Sequence, residues 1–66
     1  DRKRAESLGA GPLYVYDRIP EHGDCVVDEL TGGGYSIAEI MKFVLKLELS
    51  GLCEEVPGGR IARISH

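Results

Sequence analysis

The chain has 66 residues and a formal net charge of −3, and at this length nearly every large apolar side chain is needed to pack one small core. No nucleophile in the sequence is paired with a base and an orienting acid, so we predict that the domain is not an enzyme. No apolar run approaches the roughly 18 residues of a membrane span and no signal peptide is recognisable, so a cytoplasmic location is expected.

The first eleven residues, DRKRAESLGAG, lie ahead of any apolar periodicity and include three of the eight basic side chains of the sequence. We therefore expect a flexible linker over residues 1–11 and one folded domain over residues 12–66. That domain holds five basic and nine acidic side chains, so its formal charge is five minus nine, or −4. Duplex DNA is bound largely by neutralising phosphates, so this balance predicts at most weak affinity for DNA.

Proline and glycine residues mark the first elements of the domain. A short helix is expected over about residues 12–19, with Pro12 at its first position and Pro20 beyond its end. One face of this helix is apolar and is formed by Pro12, Val15, Tyr16 and Ile19. After the polar turn EHGD, Cys25 and Val26 are expected to form a very short strand.

The third helix has the clearest boundaries. The segment VDEL begins a short second helix, which the three glycines at 32–34 must end. Ser36 and Glu39 then have the S-x-x-E spacing of a capping box, and Gly51 stands where a left-handed residue commonly ends a helix. A helical wheel predicts that the buried stripe consists of Ile37, Ile40, Val44 and Leu47, with Met41 on its flank.

One charged residue falls within the apolar sector of the third helix. Glu48 lies one turn beyond Val44, where an unpaired carboxylate is costly to bury. We expect its carboxylate to reach water at the helix end, or to pair with Arg18 or Arg63. Either arrangement gives Glu48 a structural role.

The C-terminal part of the chain predicts a β-hairpin. The segments LCEEV and RIARIS have the composition of strands, and the turn Pro57-Gly58-Gly59 joins them. The order of elements is then helix, strand, helix, helix, strand, strand. This order predicts an α+β winged helix, which is a helix-turn-helix with a C-terminal β-hairpin wing.

Four segments, VVDEL, GYSIAEI, LKLELSGL and PGGRIARI, resemble in order and spacing the C-terminal winged-helix domain of the bacterial DNA-processing protein DprA, also called Smf. The resemblance covers about residues 12–64, and the triple glycine departs from it because the family usually continues helix two there. It implies an upstream Rossmann-like domain in the same protein, which binds single-stranded DNA and helps to load a RecA-type recombinase during natural transformation. It implies no catalytic residues and no cofactor.

Four basic side chains are candidates for weak DNA contact without sequence preference: Lys42, Lys46, Arg60 and Arg63. The third helix has no Arg, Asn or Gln, the residue types that most often read base edges. On the wing, Glu54 and Glu55 are expected to pair with the two arginines and cancel their field. Among the tyrosines, only Tyr14 is expected to be available for stacking on a base.

Three apolar side chains flank the buried stripe of the third helix and are candidates for a protein interface: Phe43, Leu45 and Leu49. Together with the low basic charge they favour a surface that faces protein, either a recombinase of the RecA type or a second copy of the chain. We therefore expect an accessory interaction module that contacts DNA weakly. The alternative is the DNA-binding domain of a transcription regulator.

The two cysteines, Cys25 and Cys53, are expected to remain separate thiols, because their strands should flank the last strand from either side. His22, Cys25 and Cys53 could together supply three metal ligands. No fourth Cys or His has ligand spacing, since His66 is the last residue, so no metal site is expected.

Overall fold

The computed structural model describes residues 1–64, in which helices pack against one three-stranded antiparallel sheet. The α-helices are α1 (Arg2–Leu8), α2 (Ala10–Arg18) and α3 (Ile37–Leu49), and a 3₁₀ helix spans Val27–Leu30. The strands are β1 (Asp24–Val26), β2 (Cys53–Val56) and β3 (Arg60–Arg63). The predicted α+β class is confirmed, and the arrangement is compatible with a winged helix. Residues 65 and 66 of the predicted domain lie outside the described residues.

The segment that was expected to be a flexible linker is helical instead. Ala5 of α1 is completely buried in the core, and Leu8 packs against that core. The Arg2 guanidinium donates two hydrogen bonds to the carboxylate of Asp17 in α2, with N–O distances of 2.9 and 3.0 Å. Two apolar residues are too few to show a helical period in the sequence. The helix is instead stabilised by its packing against α2, which overrides the weak local preference.

Helix α2 begins two residues earlier than predicted. Pro12 is therefore its third residue, where a missing N–H costs nothing because the first four amides of a helix have no partner inside it. The predicted apolar face is confirmed, since all four of its residues are buried: Pro12, Val15, Tyr16 and Ile19. The helix ends at Arg18, before Pro20.

Both predicted ends of α3 are confirmed. The Glu39 amide donates to Ser36 Oγ at 3.2 Å, and the Ser36 amide donates to Glu39 Oε1 at 2.9 Å. At the other end Gly51 has φ of +74°, and the Leu52 amide donates to the Leu47 carbonyl at 2.9 Å. This pattern is a Schellman motif, so local chemistry defines the whole length of α3.

The strand order is β1-β3-β2, with β3 antiparallel to both neighbours. The predicted hairpin is confirmed, and its turn uses positive φ at Gly58 and Gly59. As predicted, the two cysteines lie on opposite sides of β3 and are free thiols. The sheet therefore holds the β2–β3 hairpin beside α3.

The core lies between the helices and the sheet, and α3 supplies Ile40, Val44 and Leu47 to it. The predicted stripe was wrong at Ile37, which is 48 % exposed. The buried face of α3 is rotated toward Phe43, because Gly11 of α2 has no side chain and lets the Phe43 ring lie directly over its backbone. None of the helices within residues 1–64 is long and apolar enough to cross a membrane.

Candidate functional site

An exposed apolar line runs the full length of α3. Ile37, Met41, Leu45 and Leu49 are spaced four residues apart, and their exposed fractions are 48, 46, 54 and 80 %. Side chains at this spacing lie one above the other on a helix surface. We call these four residues the α3 ridge. Each of the four side chains keeps 46 % or more of its surface exposed.

A groove of about 260 Å³ lies beside the ridge, between α3, the 3₁₀ helix and the β2–β3 hairpin. Ile37 and Met41 belong to both the ridge and the groove, and Val44, Val56 and Ile61 add apolar surface to the groove wall. Three charged residues also line it: Asp28, Glu55 and Arg60. We call this feature the α3–hairpin groove.

The groove is acidic, because Arg60, the one basic residue that lines it in the described part of the chain, is already paired. Arg60 Nε donates to Asp24 Oδ1 at 2.6 Å. Asp28 and Glu55 form no ion pair within residues 1–64. The groove therefore offers two uncompensated carboxylates beside an apolar surface.

Glu48 adds a third carboxylate near the same side of α3. Its side chain is half-buried, and burial together with the negative charge of Glu55 raises its pKa. Of the two arrangements expected for Glu48, the pairing with Arg18 or Arg63 does not occur, since neither forms an ion pair with Glu48 among the described residues. Both guanidiniums instead lie over tyrosine rings, at 3.7 and 4.2 Å from the ring centroids.

The predicted pairing within the hairpin was also wrong. Register places Asp24 of β1 diagonally across from Arg60, so Arg60 pairs with Asp24 rather than with Glu54 or Glu55. Arg63 turns toward α2, where its Nη2 donates to the Tyr16 carbonyl at 2.8 Å. Both candidate arginines of the hairpin are therefore engaged within the fold.

The two lysine candidates remain exposed. The side chains of Lys42 and Lys46 form no ion pair or hydrogen bond with other described residues. On a helical wheel they lie beyond Leu49, on the side of the ridge away from the groove. The two lysines and the acidic groove therefore lie on opposite sides of the ridge.

Two aromatic candidates are held inside the fold. Phe43 is half-buried over Gly11 and meets the Tyr35 ring edge-on, with centroids 5.0 Å apart. Tyr14 O–H donates to the Leu30 carbonyl at 2.9 Å, so the expectation that it is available for base stacking was wrong. Of the three interface candidates, Leu45 and Leu49 are exposed, whereas Phe43 is a packing residue.

The two cysteine thiols have raised pKa values, which makes them poor nucleophiles. Burial, and then the nearby charge of Glu48, raises the pKa of Cys53 to about 12. Burial also raises the pKa of Cys25, so neither thiol readily forms the nucleophilic thiolate. No group of three His, Cys, Asp or Glu side chains within residues 1–64 could hold a metal ion.

Sequence reasoning missed the groove and the exposure of Ile37 and Met41. The four-residue spacing of apolar side chains from Ile37 to Leu49 was the available signal, because it continues past the sector needed for the core. No protein-family model matches the chain, and searches of curated proteins and of solved structures found no significant match.

Proposed function

We propose that the chain is a winged-helix interaction module, in which α3 has the position of a DNA-reading helix but binds protein. The observation that carries this proposal is the α3 ridge. An apolar line of four residues on the outer face of a helix is typical of a protein interface. A helix that reads DNA presents side chains that donate or accept hydrogen bonds at that place.

Electrostatics support the same function. With α1 packed into the fold, the whole chain counts toward the charge, which is formally −3, and both hairpin arginines are held by groups of the fold itself. Only Lys42 and Lys46 remain on α3 to meet phosphates. Two such contacts give weak affinity that does not depend on sequence.

The resemblance to the DprA family suggests the protein to which this module belongs. In this proposal the module is an accessory domain of a cytoplasmic DNA-processing protein, in which a Rossmann-like domain handles single-stranded DNA. Candidate partners are that domain, a RecA-type recombinase and a second copy of the chain. The motifs VVDEL, LKLELSGL and PGGRIARI support this assignment.

The second candidate is the DNA-binding domain of a transcription regulator, and the exposure of Lys42 and Lys46 favours it. A titration of the chain into two labelled duplexes of unrelated sequence separates the two functions. We expect weak binding that is equal for both duplexes, and a slope of log affinity against log salt of about −2 or shallower. Tight binding that differs between the duplexes would overturn the interaction module in favour of the regulator.

A further inference from the structure

We propose that the α3–hairpin groove binds an aliphatic side chain of a basic amphipathic helix, whose Lys or Arg residues face Asp28 and Glu55. This inference rests on the proposed function and names the chemistry of the protein partner. The size of the groove, its continuity with the ridge and its charge each favour such a partner.

The volume of the groove fits a side chain better than a cofactor. At about 260 Å³ it lies below the range of roughly 300–1,000 Å³ that is usual for small-molecule sites. Its wall includes Val44 and Ile61, which are each only 1 % exposed. A Leu, Ile or Met side chain entering from outside would therefore contact the apolar core directly.

The ridge extends this contact along α3. From Ile37 to Leu49 the ridge covers roughly 18 Å, at 1.5 Å for each residue. A partner helix of about three turns can follow that length and present anchors at i, i+3, i+4 and i+7. The groove then receives one anchor near Met41, and Leu45 and Leu49 contact the others.

Charge selects a basic partner. Asp28 and Glu55 have no ion pair within residues 1–64, and the carboxylate of Glu48 lies close enough to Glu55 to be affected by its charge. Arg60, the cation of the groove, is already bound to Asp24. A second copy whose α3 runs antiparallel by two-fold symmetry would set the acidic side against the acidic side, so that form of self-pairing is disfavoured. DNA phosphates would meet the same repulsion.

The test uses the 66-residue chain and a fluorescent Leu–Lys peptide of about 14 residues, patterned as an amphipathic helix. A Leu–Glu peptide with the same spacing and a scrambled Leu–Lys peptide are the controls. We expect saturable binding of the patterned Leu–Lys peptide alone. Equal binding of either control peptide, or no saturable binding, would overturn the proposal.

Two pairs of variants locate the site. Glu55→Lys should weaken binding of the patterned Leu–Lys peptide by about tenfold, as removal of a central contact does. Glu54→Lys makes the same charge change on the opposite face of β2, and it should change binding by less than about twofold. Met41→Ser should also weaken binding, whereas Ser50→Ala at the end of α3 should not. Equal effects of the two glutamate variants would overturn the assignment to the groove.

Two further outcomes separate this inference from the proposed function. Self-association of the chain that Met41→Ser abolishes would make a second copy the occupant, which overturns the basic partner and leaves the interaction module standing. Saturable binding of labelled duplex DNA to the chain alone at physiological salt, if Met41→Ser weakens it, would make the same face a DNA surface. That result would overturn both.

Discussion

Glu48 is the residue of α3 whose environment is least favourable, because its carboxylate is half-buried. Burial and the charge of Glu55 raise its pKa above the ordinary value of a glutamate, so the folded state holds the proton more tightly than the unfolded state. The stabilising effect of protonation is complete below the unfolded pKa and is lost as pH rises through the folded pKa. At neutral pH the ionised carboxylate is therefore unfavourable for folding.

We predict that Glu48→Gln raises the free energy of unfolding at pH 7 and that this gain shrinks as the pH falls toward the unfolded pKa of Glu48. The neutral amide removes the burial cost of a charge and the repulsion by Glu55. Urea unfolding of wild type and variant across this pH range measures the difference. Glu54→Gln, on the exposed face of β2, is the control and should show a smaller change. A loss of stability at pH 7 in Glu48→Gln would mean that the charge is stabilising.

Phe43 and Leu45 test the division of α3 into a packing face and an exposed face. Phe43 is half-buried over Gly11 and against Tyr35, whereas Leu45 is 54 % exposed. We predict that Phe43→Ser costs about 2 kcal/mol of stability, below the roughly 3 kcal/mol of a fully buried Phe. Leu45→Ser should cost less than about 0.5 kcal/mol. Denaturant unfolding of the two variants compares them, and similar costs would contradict this division.

At the scale of the elements, sequence reasoning succeeded where local chemistry defines the structure. The capping box of Ser36 and Glu39 and the left-handed Gly51 determine the ends of α3, and Gly58 and Gly59 determine the hairpin turn. Helix α1 could not be predicted in this way, because Ala5 and Leu8 form too short an apolar pattern. Its position depends on burial against α2, which only the folded chain supplies.

We predict that deleting residues 1–8 destabilises the remaining domain. The deletion removes the buried side chain of Ala5, the packing of Leu8 and the two hydrogen bonds from Arg2 to Asp17. Because surface ion pairs contribute little, most of the loss should come from the uncovered apolar surface of α2. Thermal unfolding of the full chain and the truncated chain measures it. An unchanged melting temperature would show that the segment behaves as the linker that its composition first indicated.

At the scale of the whole molecule, the site follows from how α2 and the hairpin meet α3. Sequence reasoning named Phe43, Leu45 and Leu49 together as interface candidates, and it assigned Ile37 to the core. The absence of a side chain at Gly11 lets α2 cover Phe43, and this rotates the buried face away from Ile37. A helical wheel contains no information on that rotation, so the groove beside Ile37 and Met41 could not be predicted.

The same assembly of elements distributes the charges around the ridge. Arg60 and Arg63 are held by β1 and α2, Lys42 and Lys46 lie on one side, and the unpaired carboxylates lie on the other. The surface is therefore apolar along its centre and acidic in its groove. We conclude that this arrangement favours protein over phosphate as the ligand of α3.

An amide-resolved NMR titration of the ¹⁵N-labelled chain with duplex DNA at physiological salt tests this conclusion most directly. We predict small chemical-shift changes that do not saturate and that centre on Lys42 and Lys46, because only these lysines of α3 are available to phosphates. The amides of Asp28, Glu55 and Val56, which line the groove, should stay unperturbed. Saturating changes that run along α3 and across the β2–β3 hairpin would contradict the account, because they would show that this face binds DNA.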